Sequence, residues 1–256
     1  YLPVNIACAG ASWGGSMANR LKMLHVLGNA RPPHHIVGWR GRQELSYGMF
    51  LGRVGAWRAL LARVSGQRFA LYLDDSVELA AALFGAWQAG KTICLPGDNL
   101  PATCAGLRPK VDGYLGEFAI AWQPQVPVQD AAADLDAFHP LDPDFPGLVL
   151  YTSGSTATPQ SIPKRLAQLA AEVDTLEMQF GALLGAADIA ATVSHQHIYG
   201  LLFKVLWPIT AGRAIQAGSF SFFEGLSAAL AQRESALVSS PAHLKRLREN
   251  SVPAPA

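Results

Sequence analysis

With 256 residues, half of them hydrophobic and only 15% charged, the chain holds enough apolar material for a large core, which excludes an intrinsically disordered protein. A formal net charge of +1, with Lys and Arg scattered along the chain, excludes the basic stripe of a nucleic-acid surface. The longest uncharged apolar stretch, residues 79–90, is too short to span a membrane, and Cys8, Cys94 and Cys104 fit neither a zinc knuckle nor a disulfide framework, so a cytoplasmic location is expected.

Along the chain the first motif is Gly10-Ala11-Ser12-Trp13-Gly14. It fits G-x-S-x-G, follows the apolar run 4–8 and precedes a helical pattern over 17–27, which is the context of a hydrolase nucleophile elbow with Ser12 as nucleophile. Asp74 or Asp98 and His195 or His243 follow in the order that such a triad uses. Placement argues against it, because an elbow comes after several strands and only nine residues precede Gly10. Serine hydrolysis is kept as an alternative.

Ser46, ahead of Phe50, Val54 and Trp57, predicts a helix N-cap. Residues 69–73 read as a strand ending in a turn, 78–89 as a buried Ala-rich helix, Gly90 as its C-cap and 92–95 as the next strand. The segment 122–146 gathers Pro124, Pro127, Pro140, Pro143 and Pro146 with several Asp residues, and reads as a linker with a short helix around 131–138.

Residues 147–151 read as a short buried strand, and a helix follows from near Lys164, with Leu166, Leu169, Ala170, Val173, Leu176 and Phe180 on one face. Between them lies Tyr151-Thr152-Ser153-Gly154-Ser155-Thr156-Ala157-Thr158-Pro159. Backbone N–H groups in such a turn can form a concave anion site, and the hydroxyls of Thr152, Ser153, Ser155, Thr156 and Thr158 add neutral donors, so the loop suits phosphate. It is no Walker A loop, since the Lys of G-x-x-x-x-G-K-[ST] is missing and Pro159 and Pro163 delay the helix.

The loop resembles the phosphate-binding motif of the AMP-forming adenylating enzymes: acyl-CoA synthetases, aryl-CoA ligases, luciferases and nonribosomal peptide synthetase adenylation domains. Their pattern is an aromatic or aliphatic residue followed by T-S-G-[ST]-T-G-x-P-K. Residues 151–156 and Pro159 match in register, whereas Ala157 stands where the family has Gly and Gln160 where it has Lys. Lys164, at the predicted helix start, is then the candidate replacement cation. A second segment, His195-Gln196-His197-Ile198-Tyr199-Gly200, resembles the family's H-x-x-G, with His197 as the ring that closes over the acyl substrate and Gly200 opening room beside it. The alternate His195 and His197 also suit two metal ligands on one strand face, but no Cys or acid lies nearby in sequence, and a hydrogen-bonded core histidine is the better structural alternative. Weaker similarities at residues 44–57, 87–96 and 237–244 keep the family's order.

The resemblance implies an α/β fold of two stacked sheet-and-helix subdomains: residues 1–140 supply most of the first, and 147–256 begin the second, which carries the phosphate loop and is incomplete. It implies ATP-dependent activation of a small-molecule carboxylic acid, acyl or aryl, to an acyl-adenylate, and transfer to the thiol of coenzyme A or of the phosphopantetheine arm of an acyl carrier protein. Residues 152–158 would bind ATP, Thr156 would serve its Mg²⁺, and His197, Tyr199 and Gly200 would border the acid. The family's C-terminal lid and catalytic Lys lie beyond the matching residues, so the chain is expected to be the front part of a longer enzyme and inactive alone. A nucleotide- or acyl-binding protein without catalysis is the remaining alternative, motivated by Ala157 and Gln160.

Overall fold

The computed structural model describes residues 22–27, 30–128, 138–152 and 160–249. The G-x-S-x-G motif, Cys8, most of the short helix expected around 131–138, and residues 153–159 of the phosphate loop lie outside the described residues.

In chain order the strands are β1 (Ile36–Arg40), β2 (Gln43–Ser46), β3 (Arg68–Tyr72), β4 (Thr92–Leu95), β5 (Gly113–Gly116), β6 (Leu148–Thr152), β7 (Gln160–Lys164), β8 (Asp188–Ala191), β9 (Ile215–Gln216) and β10 (Ser235–Val238). They form two five-stranded sheets, one in the order β10-β8-β9-β1-β2 and the other in the order β5-β3-β4-β6-β7. All pairs are parallel except β1 with β2 and β6 with β7. Each sheet takes strands from both sides of the proline-rich segment, so a cut between 140 and 147 would sever both.

The helices are α1 (Tyr47–Arg63), α2 (Ser76–Gln88), α3 (Pro101–Leu107), α4 (Leu166–Leu184), α5 (Ile198–Gly200), α6 (Trp207–Ala211), α7 (Phe223–Gln232) and α8 (Pro241–Glu249). A wide π turn, Leu201–Leu206, joins α5 to α6. Local chemistry sets several boundaries. The Ser46 hydroxyl caps α1 by accepting from the Met49 N–H at 3.2 Å, and the Asp75 carboxylate caps α2 by accepting from Val77 and Glu78 N–H groups, each at 2.9 Å. Gly90, just past α2, adopts φ +67°, a left-handed conformation that suits glycine.

α2 is buried along almost its whole length, because it touches α1 on one side, β4 of one sheet and β9 of the other. Gly85 permits the close crossing with α1: a methyl there would lie 2.6 Å from the Trp57 Cβ. Two carboxylates strap the helices. Glu78 of α2 accepts from the Arg53 guanidinium and the Trp57 indole of α1. Glu177 of α4 accepts in the same way from Arg213 and from Trp207 of α6.

One stretch departs from the sequence expectation. Residues 160–164 form an edge strand, so β6 and β7 make a hairpin ahead of α4. Gln160-Ser161-Ile162-Pro163-Lys164 has no apolar alternation, and Pro163 is tolerated because β7 is at the sheet edge.

Candidate functional site

β5, β3, β4 and β6 run parallel, so their carboxyl ends share one edge of the sheet. α2 and α3 cover opposite faces of that sheet: Phe69 and Leu71 of β3 join the core that contains α2, whereas Ala70 packs with Cys104 and Leu107 of α3. Helices that leave neighbouring strands toward opposite faces open a crevice at the carboxyl edge, where open α/β sheets bind ligands. Thr152 and Gln160 are a paired register position there, and residues 153–159 connect them. Of the expected phosphate ligands, Ser153, Gly154, Ser155, Thr156, Ala157 and Thr158 lie outside the described residues, and Thr152 is placed only as the last residue of β6.

Lys164 is not beside the two ends of that loop, Thr152 and Gln160. It pairs with Leu148 at the far end of the hairpin, four residues from Gln160 and so about 13 Å along the strand. Its ammonium donates to Glu172 of α4 at 3.0 Å. Residues 160–164 thus run as a strand that carries Lys164 away from the Thr152–Gln160 pair and leaves it engaged with Glu172.

The second predicted segment does reach the crevice. His197 is exposed and lies against Gly97, just beyond β4: a methyl on Gly97 would come 3.0 Å from the His197 Cε1. β4 is the direct neighbour of β6, so His197 and the ends of the 153–159 connection occupy adjacent strand termini. The Tyr199 hydroxyl donates to the Ser239 carbonyl at 3.2 Å, just past β10 of the other sheet, and burial raises its pKa. Gly200 has a different role from the one expected. A methyl there would lie 2.1 Å from the Ser194 carbonyl oxygen, so the missing side chain admits the segment's own backbone and opens no room for substrate.

His195, by contrast, faces inward. Its Nε2–H donates to the Leu73 carbonyl at 2.6 Å, which leaves Nδ1 to accept from the Ser76 hydroxyl at 2.8 Å. Burial, reinforced by the nearby Lys204 charge, lowers its pKa to about 4, so the ring is neutral at pH 7. With both nitrogens engaged, His195 serves neither a metal pair with His197 nor a hydrolase triad. The Gln196 amide donates to the same Leu73 carbonyl at 3.2 Å. Segment 195–199 thus bridges the carboxyl edges of both sheets.

Sequence reasoning missed Lys204. It is 0% exposed in the π turn, and its ammonium donates to the Ser219 hydroxyl at 2.8 Å. Burial lowers its pKa to about 8, opposed by the fields of Asp75 and Asp74. The available signal was a lone cation inside the apolar run Leu201-Leu202-Phe203-Lys204-Val205-Leu206-Trp207. The aromatic residues near it are packing groups: Phe203 lies among Phe180, Tyr199 and Trp207, and Trp207 is buried. Among the described residues no group of three or more His, Cys, Asp or Glu side chains is placed to hold a metal ion, and no helix is long and apolar enough to cross a membrane.

No family model matches the chain. It is 28% identical over 192 residues to a sulfoacetate–CoA ligase of Cupriavidus necator, covering 64% of this chain and 37% of the ligase. It is 31% identical over 107 residues to a probable non-canonical nonribosomal peptide synthetase of Salinispora arenicola, covering 41% of this chain and 1% of that protein. The structure of ATP-bound MatB from Rhodopseudomonas palustris superposes with a TM-score of 0.66 at 18% identity, covering 91% of this chain and 52% of MatB. By fold, the chain resembles the AMP-forming adenylating enzymes. It matches the N-terminal portion of these adenylating proteins and spans about half their length or less. The two-sheet α/β architecture expected from the resemblance is the one observed.

Proposed function

We propose that the protein containing these residues activates a carboxylic acid with ATP. One observation carries this reading: the ends of the phosphate loop and the exposed ring of His197 sit at the carboxyl ends of adjacent parallel strands, β6 and β4. In the first half-reaction a carboxylate oxygen attacks the α-phosphorus, the bond to the bridging oxygen breaks, and pyrophosphate leaves with its electron pair. In the second a thiol attacks the acyl carbonyl and AMP leaves. The protein's task in the first step is alignment and preorganised donors for the leaving group.

Residues 152–158 hold the β- and γ-phosphates, and Thr156 serves the Mg²⁺ that travels with ATP. His197 and Tyr199 border the acid. Gly200 shapes that wall by admitting the Ser194 carbonyl. Lys164 has no part. The thiol belongs to coenzyme A or to the phosphopantetheine of a carrier protein, in keeping with similarity to both a CoA ligase and a peptide synthetase. Catalysis takes place in the cytoplasm.

Acid-dependent exchange of pyrophosphate into ATP by the complete protein tests this reading. The expected result is exchange with at least one member of a panel of aryl, short-chain and long-chain acids, and its loss in Thr156→Ala. ATP binding without exchange for any acid overturns it in favour of a non-catalytic nucleotide-binding protein.

A further inference from the structure

The π turn places a lysine amino group in the core behind the site segment. Lys204 is completely buried, and its one hydrogen bond among the described residues is to Ser219. An ammonium there is costly and is kept only where its bonds matter. The Ser219 hydroxyl in turn donates to the Val193 carbonyl at 3.3 Å. The bonds run one way, from the ammonium to the hydroxyl to the carbonyl, so the Ser219 hydroxyl is oriented from both sides. Val193 opens the segment whose later residues are His195, pinned on Leu73 and Ser76, then His197 and Tyr199. Ser219 itself stands beyond β9, on a different chain segment. π turns are rare and are often associated with functional sites. The wide turn Leu201–Leu206 carries Lys204 to Ser219 while α5, one turn earlier, carries Tyr199.

We propose that Lys204 is a positioning residue of the acid-binding wall: through Ser219 it holds the Val193 carbonyl and so sets where His197 and Tyr199 present themselves. This inference rests on the proposed acid activation for its kinetic consequence, but its structural content stands apart from any activity. Lys204 touches no substrate. Its influence falls on the acid and leaves the ATP side of the site alone.

The test uses the complete protein with labelled histidine and four forms: wild type, Lys204→Met, Ser219→Ala and the double variant. The His197 Cε1–Hε1 signal in a two-dimensional NMR spectrum is read in each, beside a thermal melt. Both single variants are expected to shift that signal in the same direction, and the double variant no further than Ser219→Ala, because Lys204 acts on the carbonyl only through Ser219. In pyrophosphate exchange the KM for the acid should rise about tenfold in Lys204→Met, the loss of one hydrogen bond to a charged group, with the KM for ATP unchanged. An unmoved His197 signal in folded variants, strictly additive effects, or an equal rise in both KM values would overturn the proposal. Ser219 is exposed, so Ser219→Ala keeps the test decisive if Lys204→Met does not fold. Absence of exchange in the wild type would count against the proposed function only, and the NMR arm would still decide the role of Lys204.

Discussion

The helix straps and the site segment solve the same problem, holding separate chain segments together, with opposite chemistry. Glu78 and Glu177 each accept from one arginine and one tryptophan indole, so the α1–α2 and α4–α6 contacts are fastened by paired charges. Segment 193–199 is fastened by neutral groups: His195 and Gln196 on the Leu73 carbonyl, Ser219 on the Val193 carbonyl and Tyr199 on the Ser239 carbonyl. The one ion involved, Lys204, stands a bond further back. A paired charge tolerates some displacement because Coulomb attraction fades slowly, whereas a neutral hydrogen bond is lost within a few tenths of an ångström. The difference suits the structural task of a strap, which needs strength, and the proposed task of an acid wall, which needs a defined position.

The largest effect expected is on the neutral side. Gly200→Ala drives a methyl into the Ser194 carbonyl, and a loss of ~3 kcal/mol or more should appear in urea unfolding. Next is a strap. Arg213→Met removes the guanidinium donor from Glu177, which keeps the Trp207 indole, from the Gly181 carbonyl, which keeps the Gly185 N–H, and from the Gly185 carbonyl, and about 2 kcal/mol should be lost, less than for a fully buried pair because Glu177 is partly solvated. An equal or larger loss than in Gly200→Ala would reverse the contrast.

The third test uses pH. The folded His195 titrates at about 4 and the unfolded one near 6.5, so between these values the unfolded chain binds a proton that the folded one does not. Its contribution to stability is complete above pH 6.5 and declines as pH falls toward 4, by at most ~1.4 kcal/mol per pH unit. His195→Gln should remove that component from a series of chemical melts. The exposed His197 offers the smaller counterpart: His197→Ala should alter stability by no more than about 0.5 kcal/mol yet reduce acid-dependent exchange at least tenfold. Unchanged exchange would remove His197 from the acid wall. Smallest of all, Lys164→Ala should leave exchange within about twofold of wild type, because it breaks only a partly exposed pair with Glu172.

Much of the local structure was legible. The N-cap at Ser46, the left-handed Gly90 and the buried face of α4 follow from short-range rules that need no partner. β7 was not legible, because an edge strand with a proline and two charged or amide ends earns its place by pairing with β6 and not by its own pattern. That single strand relocated Lys164. Within the site, the exposed His197 and the buried His195 look alike as letters two positions apart. Only the meeting of Leu73, Ser76 and Gly97, distant in sequence, tells them apart.

By itself the sequence determined the helix caps, the apolar faces, and a hydroxyl-rich loop and H-x-x-G segment whose order resembles the adenylating enzymes. Tertiary structure alone decided that β1 and β2 complete a sheet with β8, β9 and β10, that Gly200 makes room for backbone, and that a buried lysine stands behind the site. Caps and faces depend on neighbours within a turn or two of chain. Strand partners, close approaches and buried charges depend on contacts between residues far apart in sequence, and these exist only once the core has formed.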